Sequence, residues 1–174
     1  MDAKLWPTIL VAALAAPVVI EVAGYFWHRF VEHRGAFGPV FIYRHWQHHE
    51  VEYPIDQLRS PHYRDANSWT WYVLLSGIFG AQFVLLPWPH AMAMSLGGFL
   101  YGWCVIGVVH SAFHVDGHWL NRFGWFRRLV RLHDIHHWSP ANYGILFFGM
   151  DRLFGTLRED FPVAKESIFP FARR

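Results

Sequence analysis

The sequence predicts an all-α fold: an integral-membrane bundle of three to four transmembrane helices, with a helical cap on the cytoplasmic face that carries a histidine-rich dimetal site. Three observations predict it. Hydrophobic residues make up 53% of the 174 and charged residues only 16%, against about a quarter charged in an ordinary soluble domain. Three stretches are long and apolar enough to span a bilayer. Finally, ten of the 13 histidines fall into four short groups. This composition argues against a soluble enzyme, a disordered tail or a nucleic-acid arm. A net charge of +2 is too small to imply a polyanionic partner. The single cysteine, Cys104, excludes an internal disulfide, a cysteine-ligated iron–sulfur cluster and a cysteine-rich zinc site. At this length residues 1–174 form one domain.

The first span is expected at residues 5–27, roughly 34 Å as a helix. It ends in Trp27-His28-Arg29 without a small-residue cleavage site, so it reads as a retained span rather than a signal peptide. The second span is residues 69–87, with Gln82 its most polar side chain. The third is residues 91–113, where Gly98 and Gly102 have the spacing that lets a neighbouring helix approach. Leu86-Pro87-Trp88-Pro89 leaves almost no loop between these two, which makes them a hairpin. Trp69, Trp71, Tyr72 and Trp88 sit at span ends, where amphipathic rings favour the headgroup layer. Fourteen of the fifteen Lys and Arg then fall on one side of the bundle, within segments 28–68 and 114–174, and only Lys4 on the other. By the positive-inside rule that side is cytoplasmic. Residues 119–132 alternate apolar and arginine positions as an amphipathic helix lying in the interface would.

The histidine groups are His28 and His33; His45, His48 and His49; His110 and His114; His133, His136 and His137. Residues three or four apart share a helix face, which covers all but the first group. His28 and His33 are five apart, so they cannot share a face of a regular helix and fit a span end where the helix frays or stops near Arg34-Gly35. Zero, two and zero spans separate successive groups, so all four come to one membrane face. Imidazole is the commonest neutral metal ligand, and two ions of about four to six ligands each would use all ten rings. Such ligands bring no negative charge, so Glu32, Glu50, Asp116 and Asp134 are candidates to hydrogen-bond the outer ring nitrogens. Glu21 lies seven residues before His28 and roughly 10 Å deeper, a candidate for a substrate channel. His118 is a further ligand candidate, because it continues the face of His110 and His114; it also fits the Asp116-Gly117 turn. His62 and His90 read as structural or solvated.

In order, HRFVEH (28–33), HWQHH (45–49), HSAFH (110–114) and HDIHH (133–137) resemble the fatty acid hydroxylase superfamily, which includes sterol desaturases, fatty acid hydroxylases and carotene hydroxylases. The likeness runs from about residue 21 to 157. HDIHHWSPANYG (133–144) and MDRLFGT (150–156) look most like the sterol desaturase and fatty acid hydroxylase branch. The short, compact layout is closer to bacterial carotene hydroxylases. The resemblance implies a centre of two iron ions that uses O2 to hydroxylate or desaturate a lipid C–H bond. It makes His28, His33, His45, His48, His49, His110, His114, His133, His136 and His137 the ligands, with Asn142 and Tyr143 lining the site. Zinc is another divalent ion such a site would take in a purified sample. Relatives commonly have four spans, where three are counted here.

The chain has no haem-attachment motif and no Rossmann fingerprint, so electrons are expected from a separate donor protein, and the substrate from the bilayer. Two other readings within reach are a carotenoid ring hydroxylase of the same superfamily and a non-catalytic membrane metal-binding or transport protein. Transporters place their ligands near mid-membrane, whereas these groups lie at span ends. A zinc metalloprotease would need H-E-x-x-H, which does not occur.

Overall fold

The computed structural model describes residues 5–64 and 69–170. Lys4, Arg173 and Arg174, which enter the charge count above, lie outside the described residues. The first helix, α1 (Leu5–Phe26), runs into a π-helical turn at Trp27–Glu32. A tight bend at Gly35, with φ +71°, leads to α2 (Pro39–Gln47) and a second π turn, His48–Glu52. Next comes α3 (Trp69–Leu85). Then α4 (Trp88–Leu100), a π-helical segment (Tyr101–Gly107) and α5 (Val108–Phe113) form one continuous rod. A 3-10 turn (Trp119–Arg122), α6 (Gly124–Trp138) and α7 (Gly149–Leu153) complete the chain. Among the described residues there is no strand, only an isolated bridge between Ser60 and Val115.

Two stretches, Leu5–Glu32 and Trp88–Phe113, are long and apolar enough to cross a bilayer. Only 28% and 19% of their most apolar windows are buried within the fold. Side chains such as Leu14, Val18, Leu96 and Phe99 point outward, as on helices in lipid rather than in a soluble core. α3 is apolar but has 17 residues, short of the about 20 that a full span needs. Of the three expected spans, the first and third are therefore long enough to cross a bilayer, and the second, at residues 69–87, falls short.

The hairpin forms as expected. Pro87 precedes α4 in an extended conformation and Pro89 sits in its first turn. Gln82, buried, accepts a hydrogen bond from Ser95 across the hairpin at 2.9 Å. The close approach to α1 comes from Gly97 and Gly98 rather than from Gly98 and Gly102. A Cβ on Gly97 would lie 2.5 Å from the Ala13 carbonyl oxygen, and one on Gly98 3.1 Å from Ile20. Gly102 is looser, its nearest neighbour being Leu75 at 3.7 Å.

Two local details differ from a run of regular helix. The helix stops before Gly35, as expected, and does not fray between His28 and His33. It widens, and the His33 amide donates to the His28 carbonyl at 3.1 Å, the i to i+5 bond that brings residues five apart onto one face. Residues 119–132 do not form one continuous helix. Phe123 is extended and splits the segment, and Phe126 and Val130 of α6 pack with Ala112, Phe113, Leu120 and Ile145, while Trp119 and Trp125 are exposed.

Candidate metal centre

The four histidine segments meet at one end of the bundle and sort into two groups. His28, His33, His45, His49 and His136 each turn one ring nitrogen inward so that the five atoms lie within 4.8 Å of one another. His48, His110, His114 and His133 do the same. The His48-His49 doublet is divided between the groups: His49 goes to the first and His48 to the second. His136 and His133, three apart on α6, likewise serve different groups. His137 belongs to neither and sits between them. It stacks on His49 at 4.1 Å between centroids, and its Nε2 lies 3.3 Å from that of His133.

Backbone carbonyls fix the orientation of the rings. The Nδ1–H of His28 donates to Tyr143 at 2.7 Å and that of His136 to Ala141 at 2.7 Å. The Nδ1–H of His114 donates to Leu58 at 2.9 Å and that of His137 to Tyr53 at 3.0 Å. A carbonyl only accepts, so each of these rings carries its proton on Nδ1 and presents an Nε2 lone pair inward. The inner nitrogens then face each other closely. His28 and His45 are 2.9 Å apart, His45 and His33 3.0 Å, His33 and His136 3.2 Å, and His114 and His133 3.0 Å. The Nε2 of His48 is buried without a hydrogen-bond partner. Converging lone pairs repel unless a cation sits among them, so both donor sets fit a metal ion.

Burial, followed by the charge of neighbouring imidazoles, holds His33, His45, His48, His49, His133 and His137 well below the usual histidine pKa. Burial brings His114 down to about 4. Neutral rings are the form a metal requires.

The carboxylates behave differently from expectation. Glu32 is fully buried, accepts from the Thr70 hydroxyl and places its other oxygen 3.9 Å from His45 Nδ1. Glu50 instead pairs with Lys165 at 2.7 Å, and Asp134 with Arg59 at 2.6 Å. Asp116 is exposed. Carbonyls take the place of these carboxylates because they already lie where the rings' outer nitrogens point. Glu21 is buried, accepts from the Tyr101 hydroxyl and is not among the residues lining the cavity described below. His118 stands apart from both groups and caps the 3-10 turn by accepting from Leu120 N at 3.3 Å. His62 is exposed, and His90 hydrogen-bonds Thr8 at 2.9 Å.

Tyr143 packs its ring 5.2 Å from His33 and 5.6 Å from His136. Asn142 stands behind it, with φ +55°. Its amide donates to the carbonyls of Leu132 and Arg158 at 3.0 and 2.8 Å, so it clamps the loop rather than lining the site. Three features escaped sequence reasoning. Asp151, fully buried, accepts from the amides of Tyr143 and Gly144, both at 2.8 Å, and from the Thr156 hydroxyl. Phe169 stacks on His33 at 5.1 Å. The four bracing carbonyls complete the set. Asp151 lies in the MDRLFGT stretch and so had a signal. Phe169 and the carbonyls had none, because any residue supplies a carbonyl.

A cavity of about 730 Å³ reaches His28 and His45 of one group and His48 and His110 of the other, a size within the usual range for small-molecule sites. It runs between α1, α3 and the α4–α5 rod, and its outer rim includes the exposed Tyr72, Phe99 and Trp103.

These features define a helical membrane protein with two adjoining imidazole cages that fit metal ions. The fatty acid hydroxylase family matches residues 13–156, and the chain belongs to that family. It is 28% identical to methylsterol monooxygenase 1 of Danio rerio over 158 residues, covering 87% of this chain and 48% of that protein. The chain thus spans about half the length of this curated relative. No solved structure matches the chain.

Proposed function

We propose that the protein is a membrane-bound oxygenase that holds two iron ions and uses O2 and external electrons to hydroxylate or desaturate a C–H bond of a lipid. The observation that carries this reading is the shared cavity. One space touches two imidazoles of each group and opens toward the apolar flank of the bundle, so a lipid entering from the bilayer brings a carbon to both groups at once. Iron in these cages would supply O2 activation, which no side chain of the twenty provides.

In hydroxylation one oxygen atom enters the C–H bond and the other leaves as water, with two electrons and two protons from a donor. In desaturation two hydrogens leave the lipid and both oxygens become water, again with two electrons and two protons from a donor. The chain's own residues orient the imidazoles through the Tyr143, Ala141 and Leu58 carbonyls and exclude water by burial. The basic residues flanking the cages support a cytoplasmic location, where soluble electron donors reach them. The name of the zebrafish relative adds sterols to the candidate substrates.

Expression in a heterologous host with and without O2, followed by untargeted lipid mass spectrometry, tests the reading. The expected result is an O2-dependent lipid that has gained one oxygen or lost two hydrogens. Identical lipid profiles under both conditions, with the protein present and iron-loaded, would overturn it. Turnover by purified protein with NADPH and no electron carrier would overturn the separate donor.

A further inference from the structure

The cavity is polarised along its length. Its polar lining residues Arg44, Tyr63, Ser111 and His118 come from the segments that carry the imidazoles, interspersed with the apolar Ala112 and Val115. Away from these segments it is lined by Ile20, Leu75, Phe79, Phe99 and Ile106, with the Ser76 hydroxyl among them. Helix rise sets the depth of this apolar part by three separate routes. Ile20 is eight residues from His28, about 12 Å. Phe79 is nine from Thr70, which bonds Glu32 at the imidazole level, about 14 Å. Phe99 is eleven from His110, about 16 Å. The result is an apolar shaft rising into the bilayer from a polar floor.

We infer that this cavity binds an amphipathic lipid head-down, with an uncharged hydroxyl head among the polar residues at the floor and its apolar body up the shaft, so that the carbons next to the head are the ones presented to the imidazole cages. The inference rests on the lipid-oxygenase reading and deepens it by naming the substrate's head and orientation. A lipid inserted the other way round would leave its head unpaired in hydrocarbon, and a headless hydrocarbon would leave the floor's polar groups facing it. The head is uncharged because the floor has no spare positive charge. Arg44, the cation there, pairs with Glu52 at 3.5 Å, and Glu32 lines the same floor.

Photo-crosslinking of the full-length, metal-loaded protein in nanodiscs reads this orientation without turnover. The probes are two hexadecanols, one with a diazirine beside the hydroxyl and one with it at the tail end, and labelled peptides are mapped by mass spectrometry. The head probe should mark residues 44–63 or 110–118, and the tail probe residues 75–79 or 99–103. Reversed or indistinguishable maps, or no labelling of these segments, would overturn the orientation. Unlabelled hexadecanol should compete about tenfold better than hexadecane, which cannot pair with the floor. Equal competition by hexadecane would remove the need for a head, and equal competition by hexadecanoic acid would overturn the uncharged head. Gly102 gives a second variant. A side chain there meets only Leu75, in ordinary contact, so Gly102→Phe should obstruct the shaft with metal content unchanged. Labelling by the tail probe should fall about tenfold, while binding of octanol stays as it was; equal losses for both would mean the long axis does not run up the shaft. The expected maps in a protein that oxidises no lipid would sink the oxygenase reading alone, whereas contrary maps in a protein that does oxidise lipids would sink this inference alone.

Discussion

The two imidazole groups lie side by side, yet they are braced from different parts of the chain. The five-membered group leans on the loop after α6: Tyr143 and Ala141 supply the carbonyls for His28 and His136. Asp151 holds that loop by its amides, and Phe169 covers His33 from the other side. The four-membered group leans on residues 53–60. Leu58 braces His114, and the Ser60 amide donates to the His114 carbonyl at 3.0 Å. Tyr53 stacks on the His114 ring at 3.9 Å between centroids. Arg59 ties this segment to α6 through Asp134. One brace is a fully buried carboxylate on backbone amides. The other is a partly exposed ion pair, with side chains 30% and 15% accessible. Cages with similar donors can therefore differ in how firmly they are held.

The largest expected effect comes from breaking one cage at a time. His136→Ala should empty the five-membered cage and His133→Ala the four-membered one. Each should lower bound metal from about two ions per chain to about one and bring activity to background. Metal analysis showing both ions lost from either variant would mean that the cages are not separable. Next in size, Asp151→Asn turns an amide donor toward a backbone donor. It should weaken metal binding in the five-membered cage by about tenfold to a hundredfold and leave the other within error. Competitive chelation of the two ions measures this. Asp134→Asn should act on the four-membered cage instead, and less, because a partly exposed ion pair contributes about 1 kcal/mol. An effect on both cages would break the division of braces. Smallest of all, His62→Ala should leave metal content and activity unchanged and shift stability by less than about 0.5 kcal/mol in thermal unfolding.

The sequence made much of this visible because the chemistry is carried by a residue type with a strong signal. Ten clustered histidines, eight of them at helical spacing, announced a shared site, and long apolar runs announced the membrane helices. The hairpin was legible from Pro87 and Pro89. It was less informative where the determinant is backbone. The π turns at His28 and His48 have no composition signature, and two of the four carboxylates that looked placed to support the rings found cations instead. Glu50 has Lys165, 115 residues away in the chain, and Asp134 has Arg59, 75 residues away.

By itself, then, the sequence determined the helical class, the membrane setting and the identity of the clustered imidazoles, because periodicity and composition act locally along the chain. Only the tertiary structure decided which imidazole joins which cage, which carbonyl sets each ring's proton, and that a polarised cavity reaches both cages. Those outcomes depend on side chains and carbonyls brought together from distant segments, and local pattern does not encode where distant segments pack.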